Sequence, residues 1–250
     1  MILLVTDFGL AGPYQGQMKA VLHDEAPDVP VIDLLADAPA FRPRPTAYLL
    51  AALADSLPHE SVFLCVVDPG VGGARAPIAV RAGRRWFVGP DNGLMAIAAR
   101  RPGDAEAWEI TWRPERLSSS FHGRDLYAPV AAARARGEAP PGRPLDPAGH
   151  VGPDWPDDRA AVVYVDGYGN VITGLRAAML PTDAELAAGG RRVARAGTFS
   201  DIPVGTPFWY ANSSGLAEIA VNRGQAAAAL GLTIGDPVEV ASPAEDDANG

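Results

Sequence analysis

Two apolar runs in this chain each end in an aspartate, and that arrangement constrains the fold more than any other feature. Residues 2–5 (ILLV) run into Thr6-Asp7, and residues 62–67 (VFLCVV) run into Asp68-Pro69-Gly70. Short, near-continuous runs of Val, Ile and Leu belong to strands covered on both faces, the usual condition of strands in an α/β sheet. Between them, residues 14–22 predict a helix, 29–35 a second strand and 46–57 an Ala/Leu-rich helix. Such alternation predicts an α/β unit with a mostly parallel sheet and helices on its faces. Residues 78–80 and 86–88 read as a hairpin, and 94–100 and 126–136 as further helices.

The texture changes near residue 137. Residues 137–158 are crowded with Pro and Gly. Proline is excluded from helix interiors and central strands, so a linker or extended crossover is expected at about 137–160. Short strand-like runs follow at 161–165, 171–175, 192–194, 208–211, 217–221 and 237–240, with Gly or Asn turns between them. The reading is an α/β domain over 1–150 and a smaller β-rich domain over 151–250, ending in a polar, acidic tail expected to fray.

Composition narrows the function. Of the 250 residues, 30 are acidic and 21 basic, a net charge of -9. An acidic surface repels phosphate backbones and anionic lipid, so neither nucleic acid nor a membrane is the expected partner. The single Cys65 excludes an internal disulfide and reads as a small buried hydrophobe. The N-terminus lacks a basic n-region, and no window approaches the roughly 18 apolar residues of a membrane helix. A cytoplasmic protein is expected.

Polar clusters sit where the apolar runs end: Thr6-Asp7-Phe8-Gly9, Asp68-Pro69-Gly70-Val71-Gly72, Pro90-Asp91-Asn92-Gly93 and Phe121-His122-Gly123-Arg124-Asp125. In open α/β sheets ligands bind beyond the carboxyl ends of the strands. An Asp there suits two ribose hydroxyls, although Asp-Pro-Gly also makes a good turn. Asn92 or Asp91 reads first as a helix N-cap. Asp166-Gly167-Tyr168-Gly169-Asn170 and Asn212-Ser213-Ser214-Gly215 read first as turns. The four histidines are scattered, without HxH or HExxH spacing, so no metal is expected; His122 with Asp125 on a metal is the weakest reading. There is no GxSxG elbow, no Walker A loop and no GxGxxG after the first strand.

Taken together, TDFG, DPGVG followed by Arg75, PDNGL, FHGRD, DGYGN and NSSGLAEIAVN resemble the S-adenosylmethionine hydroxide adenosyltransferase family, relatives of the fluorinase and chlorinase enzymes. The motifs keep their order from about residue 1 to about 240. The resemblance implies an α/β N-terminal domain and a smaller β-barrel-like C-terminal domain. It also implies a homotrimer with active sites between subunits, no cofactor, and hydrolysis of S-adenosyl-L-methionine to adenosine and L-methionine. By the same resemblance Asp68, Arg75 and His122 handle the water, and Asp7 holds the ribose with Phe8 beside it. Asp166 and Ser213 or Ser214 take the methionine amine and carboxylate. Asn170, the Phe199 ring and backbone near Val221 hold adenine. Residues 34–39 lack the element the family carries there, which leaves the wall near Phe41 open.

These residue types suit the reaction. A sulfonium is already a good leaving group, so the task is to hold water in line and take its proton. A neighbouring Arg fixes a carboxylate by charge-assisted hydrogen bonds. The Asp-Arg-His set favours water over halide. The alternatives are a halogenase of the same fold, which would form a 5′-halo-adenosine, and a non-catalytic S-adenosylmethionine or nucleoside sensor, which would bind without turnover.

Overall fold

Covered on both faces, the N-terminal apolar run becomes an inner strand of a seven-stranded sheet. The computed structural model describes residues 1–146 and 154–241. The chain forms two compact units, Met1–Trp155 and Pro156–Gly250. His150, the expected boundary at 150/151 and the acidic tail from residue 242 lie outside the described residues.

In the first unit β1 (Ile2–Thr6) pairs in parallel with β2 (Val31–Leu35) and with β3 (Val62–Val66). β5 (Arg85–Pro90) lies parallel to β3. From there the pairing turns antiparallel through β4 (Pro77–Ala82), β6 (Glu106–Ile110) and β7 (Gly142–Leu145). The sheet is therefore mixed, not mostly parallel as expected. The connections explain this. A parallel neighbour needs a crossover of about a dozen residues or more, which α1 (Tyr14–Glu25) and α2 (Pro43–Asp55) provide. Only Gly83-Arg84 joins β4 to β5, with Gly83 at a φ of 58°, and so short a link forces a hairpin.

The stretch read as a linker contains β7. Its register sets Pro144 opposite Trp108. Pro is tolerated because β7 is the edge strand, where an N–H facing solvent has no ladder partner to lose. One face of the sheet packs Ile2, Leu4, Leu64 and Val66 against Met18 and Leu22 of α1 and Val130 and Ala131 of α4 (Ala128–Ala135). On β3 and β5, Phe63 and Phe87 stack with centroids 4.9 Å apart. The helix expected over 126–136 is split, because Gly123–Tyr127 forms a π-helical turn ahead of α4. Such turns recur at functional sites.

In the second unit β8 (Arg159–Val165), β9 (Val171–Arg176), β13 (Leu216–Val221) and β12 (Pro207–Ala211) form an antiparallel four-stranded sheet. β10 (Glu185–Ala188), β11 (Arg191–Val193) and β14 (Glu239–Ala241) form a separate three-stranded one. The expected barrel-like closure is not found: among the described residues no sheet closes. The two ladders meet through isolated bridges, Ala161 with Pro237 and Arg195 with Trp209. β11 ends after three residues. α3 (Ala96–Arg100) belongs to the first unit and α5 (Ala226–Leu230) to the second, where Gly231 ends it in the left-handed conformation.

Trp209 is fully buried, and its indole N–H donates to the Ala184 carbonyl at 2.8 Å. Trp209→Phe leaves that carbonyl unpaired and should cost about 1–3 kcal/mol in urea unfolding of the second unit. A loss under about 0.5 kcal/mol would mean that the bond contributes little net stability.

Candidate active site

The polar ends of β1 and β3 converge with the loop before the π-helical turn. Asp7, Phe8, Asp68, Phe121, His122 and Tyr127 are among the residues lining a cavity of about 520 Å³ in the first unit. Of the predicted residues in this unit, Asp7, Phe8, Asp68 and His122 border the cavity directly, and Arg75 reaches it through Asp68.

Asp68 follows β3 and opens a tight turn in which the Val71 N–H donates to its carbonyl. Its side chain is only 6% exposed. Oδ1 accepts both the Gly70 N–H, at 3.2 Å, and Nη1 of Arg75. The turn reading and the chemical reading therefore hold together. The Arg75 guanidinium folds over Gly70, where a Cβ would displace it. Gly72 takes a φ of 82° and comes against the Ser119 carbonyl, which draws the loop before His122 toward Asp68.

Asp7 accepts the Phe41 N–H on Oδ2 at 3.0 Å. Phe41 has a φ of 61°, costly for a residue with a Cβ, and its side chain is exposed. The wall the sequence left open is thus tied to Asp7. Behind Asp7 the buried Thr6 hydroxyl donates to Gln15 Oε1 at 3.1 Å, and Gln15 Nε2 donates to Asp33 at 3.0 Å. Lys19, the only lysine in the chain, closes this series by pairing with Asp33.

Sequence reasoning missed the roles of several residues here. Tyr14 and Phe121 pack with Phe8 at centroid separations between 5.4 and 5.7 Å. Tyr127 reads in sequence as one more apolar helical position. It is buried, and burial first, then the Asp68 charge, pushes its hydroxyl up, keeping it protonated beside the cavity. Asp125 pairs with the neighbouring Arg124 through Nε at 2.5 Å and Nη2 at 3.0 Å, and accepts the Ser118 N–H at 2.8 Å. Arg124 also donates to Gln17 at 2.8 Å. These bonds pin the segment that carries His122.

The predicted residues of the second unit lie in its connections, apart from Val221 at the end of β13. Asp166 Oδ1 accepts the N–H groups of Tyr168 and Asn170, each at 2.9 Å, and Oδ2 accepts Asn170 Nδ2 at 3.1 Å. The turn reading is realised, with Asn170 buried inside it. Ser213 and Ser214 occupy the β12–β13 turn, where the Ser214 N–H donates to Asn212 Oδ1 at 3.0 Å. Phe199 meets Phe208 at 5.1 Å and Tyr210 at 5.4 Å, both edge to face. Val221 ends β13, and its carbonyl accepts the Gly224 N–H at 2.9 Å. Glu218, 4% exposed and unforeseen, accepts the Tyr210 hydroxyl at 2.6 Å and Asn212 Nδ2 at 2.9 Å. Its one sequence signal is an acid within an apolar strand.

Residues 2–142 match the model of the SAM hydroxide adenosyltransferase N-terminal domain, and residues 160–239 that of the C-terminal domain. The chain is 38% identical over 264 aligned residues to the (R)-S-adenosyl-L-methionine hydrolase of Thermus thermophilus, covering 96% of this chain and 98% of that protein. A fluorinase from Nocardia brasiliensis is a more distant match, 24% identical over 55% of this chain and 54% of its own length. The crystal structure of a conserved protein from Thermotoga maritima matches with a TM-score of 0.87 at 31% identity, covering 96% of this chain and 99% of that one.

The hydrogen bonds from Arg124 hold the Asp125 carboxyl below the usual carboxylate range, assisted by the Ser118 N–H and opposed by burial. The stabilisation from the ionised form is complete above about pH 4 and is lost as pH falls through the lowered folded value. Asp125→Asn should therefore flatten the acid side of a Tm–pH curve between about pH 4 and pH 2. An acid limb identical to that of the parent protein would refute this role.

Proposed function

This chain belongs to the S-adenosylmethionine hydroxide adenosyltransferase family, and on that premise we propose that it hydrolyses S-adenosyl-L-methionine to adenosine and L-methionine. The observation that carries this reading is the Asp68–Arg75 pair beside His122 at one cavity. Water attacks the ribose C5′ in line. The C–O bond forms as the C–S bond breaks, and its electron pair returns to sulfur, so methionine leaves as a neutral thioether that needs no acid. The proton lost by water passes to Asp68, with His122 assisting. Both donors to Asp68 fall on Oδ1, so Oδ2 is the oxygen turned to water. Tyr127, kept protonated, adds a hydroxyl donor near the same carboxylate.

Asp7 takes the ribose hydroxyls, with Phe8 at its side. Asp166 takes the methionine amine and Ser213 or Ser214 its carboxylate. Asn170, Phe199 and the Val221 backbone take adenine. The working form is a homotrimer with active sites between subunits, in the cytoplasm. Light scattering of the purified protein tests the assembly.

The decisive experiment follows hydrolysis in heavy-oxygen water by mass spectrometry, with and without chloride. Adenosine labelled at the 5′ oxygen, with no halide dependence, is the expected product. A 5′-halo-adenosine would instead make the chain a halogenase, and binding without turnover would make it a sensor. Asp68→Asn and Arg75→Ala should lower kcat by about 10²–10⁴-fold with KM little changed, since they act on water. Asp7→Ala should chiefly weaken binding, by about 10–100-fold, because ribose hydroxyls lose their partner. Normal binding by that variant would remove Asp7 from the ribose.

A further inference from the structure

Asn92 stands where the ladder between β3 and β5 ends. The register pairs Val62 with Trp86 and Leu64 with Val88, and goes no further. Beyond it the chain runs on through Val67 to Asp68, and the next rung comes from a side chain. Nδ2 of Asn92 donates to the Val67 carbonyl at 2.8 Å. Oδ1 of the same amide accepts the Leu94 N–H at 3.1 Å. Together these bonds settle which end of the amide is nitrogen, because a carbonyl can only accept and an N–H can only donate.

The sequence reading of Asn92 as a helix cap does not hold. α3 begins after Met95, and no side chain caps it. The loop carrying Asn92 is anchored independently. The Asp91 N–H donates to the Ala76 carbonyl and the Asn92 N–H to the Pro90 carbonyl, each at 2.9 Å. Gly93 has a φ of 84° and lies under the Trp155 ring, where a Cβ would have no room. Asn92 is therefore a fixed donor pressed against the peptide that immediately precedes Asp68.

We propose that Asn92 is a positioning residue for Asp68. Its amide sets the Val67–Asp68 peptide, and through it the direction of the carboxylate that meets Arg75. Side-chain direction follows backbone dihedrals, and an error of about 1 Å in a reacting group can cost 10²-fold in rate. The assignment of Asp68 to water rests on the proposed hydrolysis; the placement of Asp68 by Asn92 does not.

Asn92→Asp keeps the shape and the Leu94 contact but turns an oxygen toward the Val67 carbonyl, so the donor becomes a repulsion. With S-adenosylmethionine as substrate, kcat should fall about tenfold or more while KM changes by less than about twofold. In an Asp68→Asn background the same substitution should change kcat by less than about twofold, since residues acting through one group are not additive. Equal losses in both backgrounds, or a KM that rises as kcat falls, would overturn the proposal. A second measurement needs no turnover: the Arg75 side-chain N–H resonance, assigned by its disappearance in Arg75→Lys, should shift in Asn92→Asp. An unmoved resonance overturns the placement even if the parent protein hydrolyses nothing, and a shifted one in an inactive parent supports the placement while refuting the hydrolase reading. If Asn92→Asp does not fold, Asn92→Ala, which removes the donor without adding repulsion, enters the same comparisons.

Discussion

Thr6 lies opposite Val66 in the parallel pairing of β1 with β3. Two chain segments thereby leave the sheet at the same edge and in the same direction, one into Asp7 and the other, after Val67, into Asp68. Parallel strands release their carboxyl ends side by side, and this is why ligands gather at that edge of α/β sheets. An antiparallel pairing would have put the two aspartates at opposite ends. β1 and β3 can pair this way because both are buried throughout and separated by helical crossovers long enough to return the chain.

The rest of the site is the cost of placing charge at that edge and the means of offsetting it. A carboxylate as enclosed as Asp68 loses most of its hydration, and charges removed from water persist only when paired and hydrogen-bonded. Arg75 and the Gly70 N–H provide this, with the Arg75 guanidinium folded over Gly70. Asp125 with Arg124 solves the same problem one loop away. There the pair holds in place the segment that carries His122.

What the sequence discloses and what it hides divide along a physical line. β1, β3 and their polar ends are legible because burial on both faces leaves an unbroken apolar run, and the aspartates interrupt it abruptly. β7 is hidden because edge strands need little apolar content, and Pro144 there looks like a linker residue. The mixed pairing of the sheet is hidden because β6 and β7 carry weak patterns, although the tight Gly83-Arg84 link announces one antiparallel step. Asn92, Tyr127 and Glu218 are hidden for a different reason. Each has its meaning through partners distant in sequence, and Asn-Gly, an aromatic in a helix or an acid in a strand has a bland local explanation. The closed barrel followed from resemblance alone, and strands of three residues in β11 and β14 are too short to complete it.

One consequence lies in the lone lysine. Asp33 holds Lys19 at the end of the polar series that runs from Thr6 through Gln15, and the Lys19 side chain is 40% exposed. Lys19 is the one lysine amine that an acylating reagent meets in this sequence. Opening of its ion pair with Asp33 frees the amine that such a reagent attacks. A single reactive atom thus reports, by mass alone, on the tightness of the packing behind Asp7.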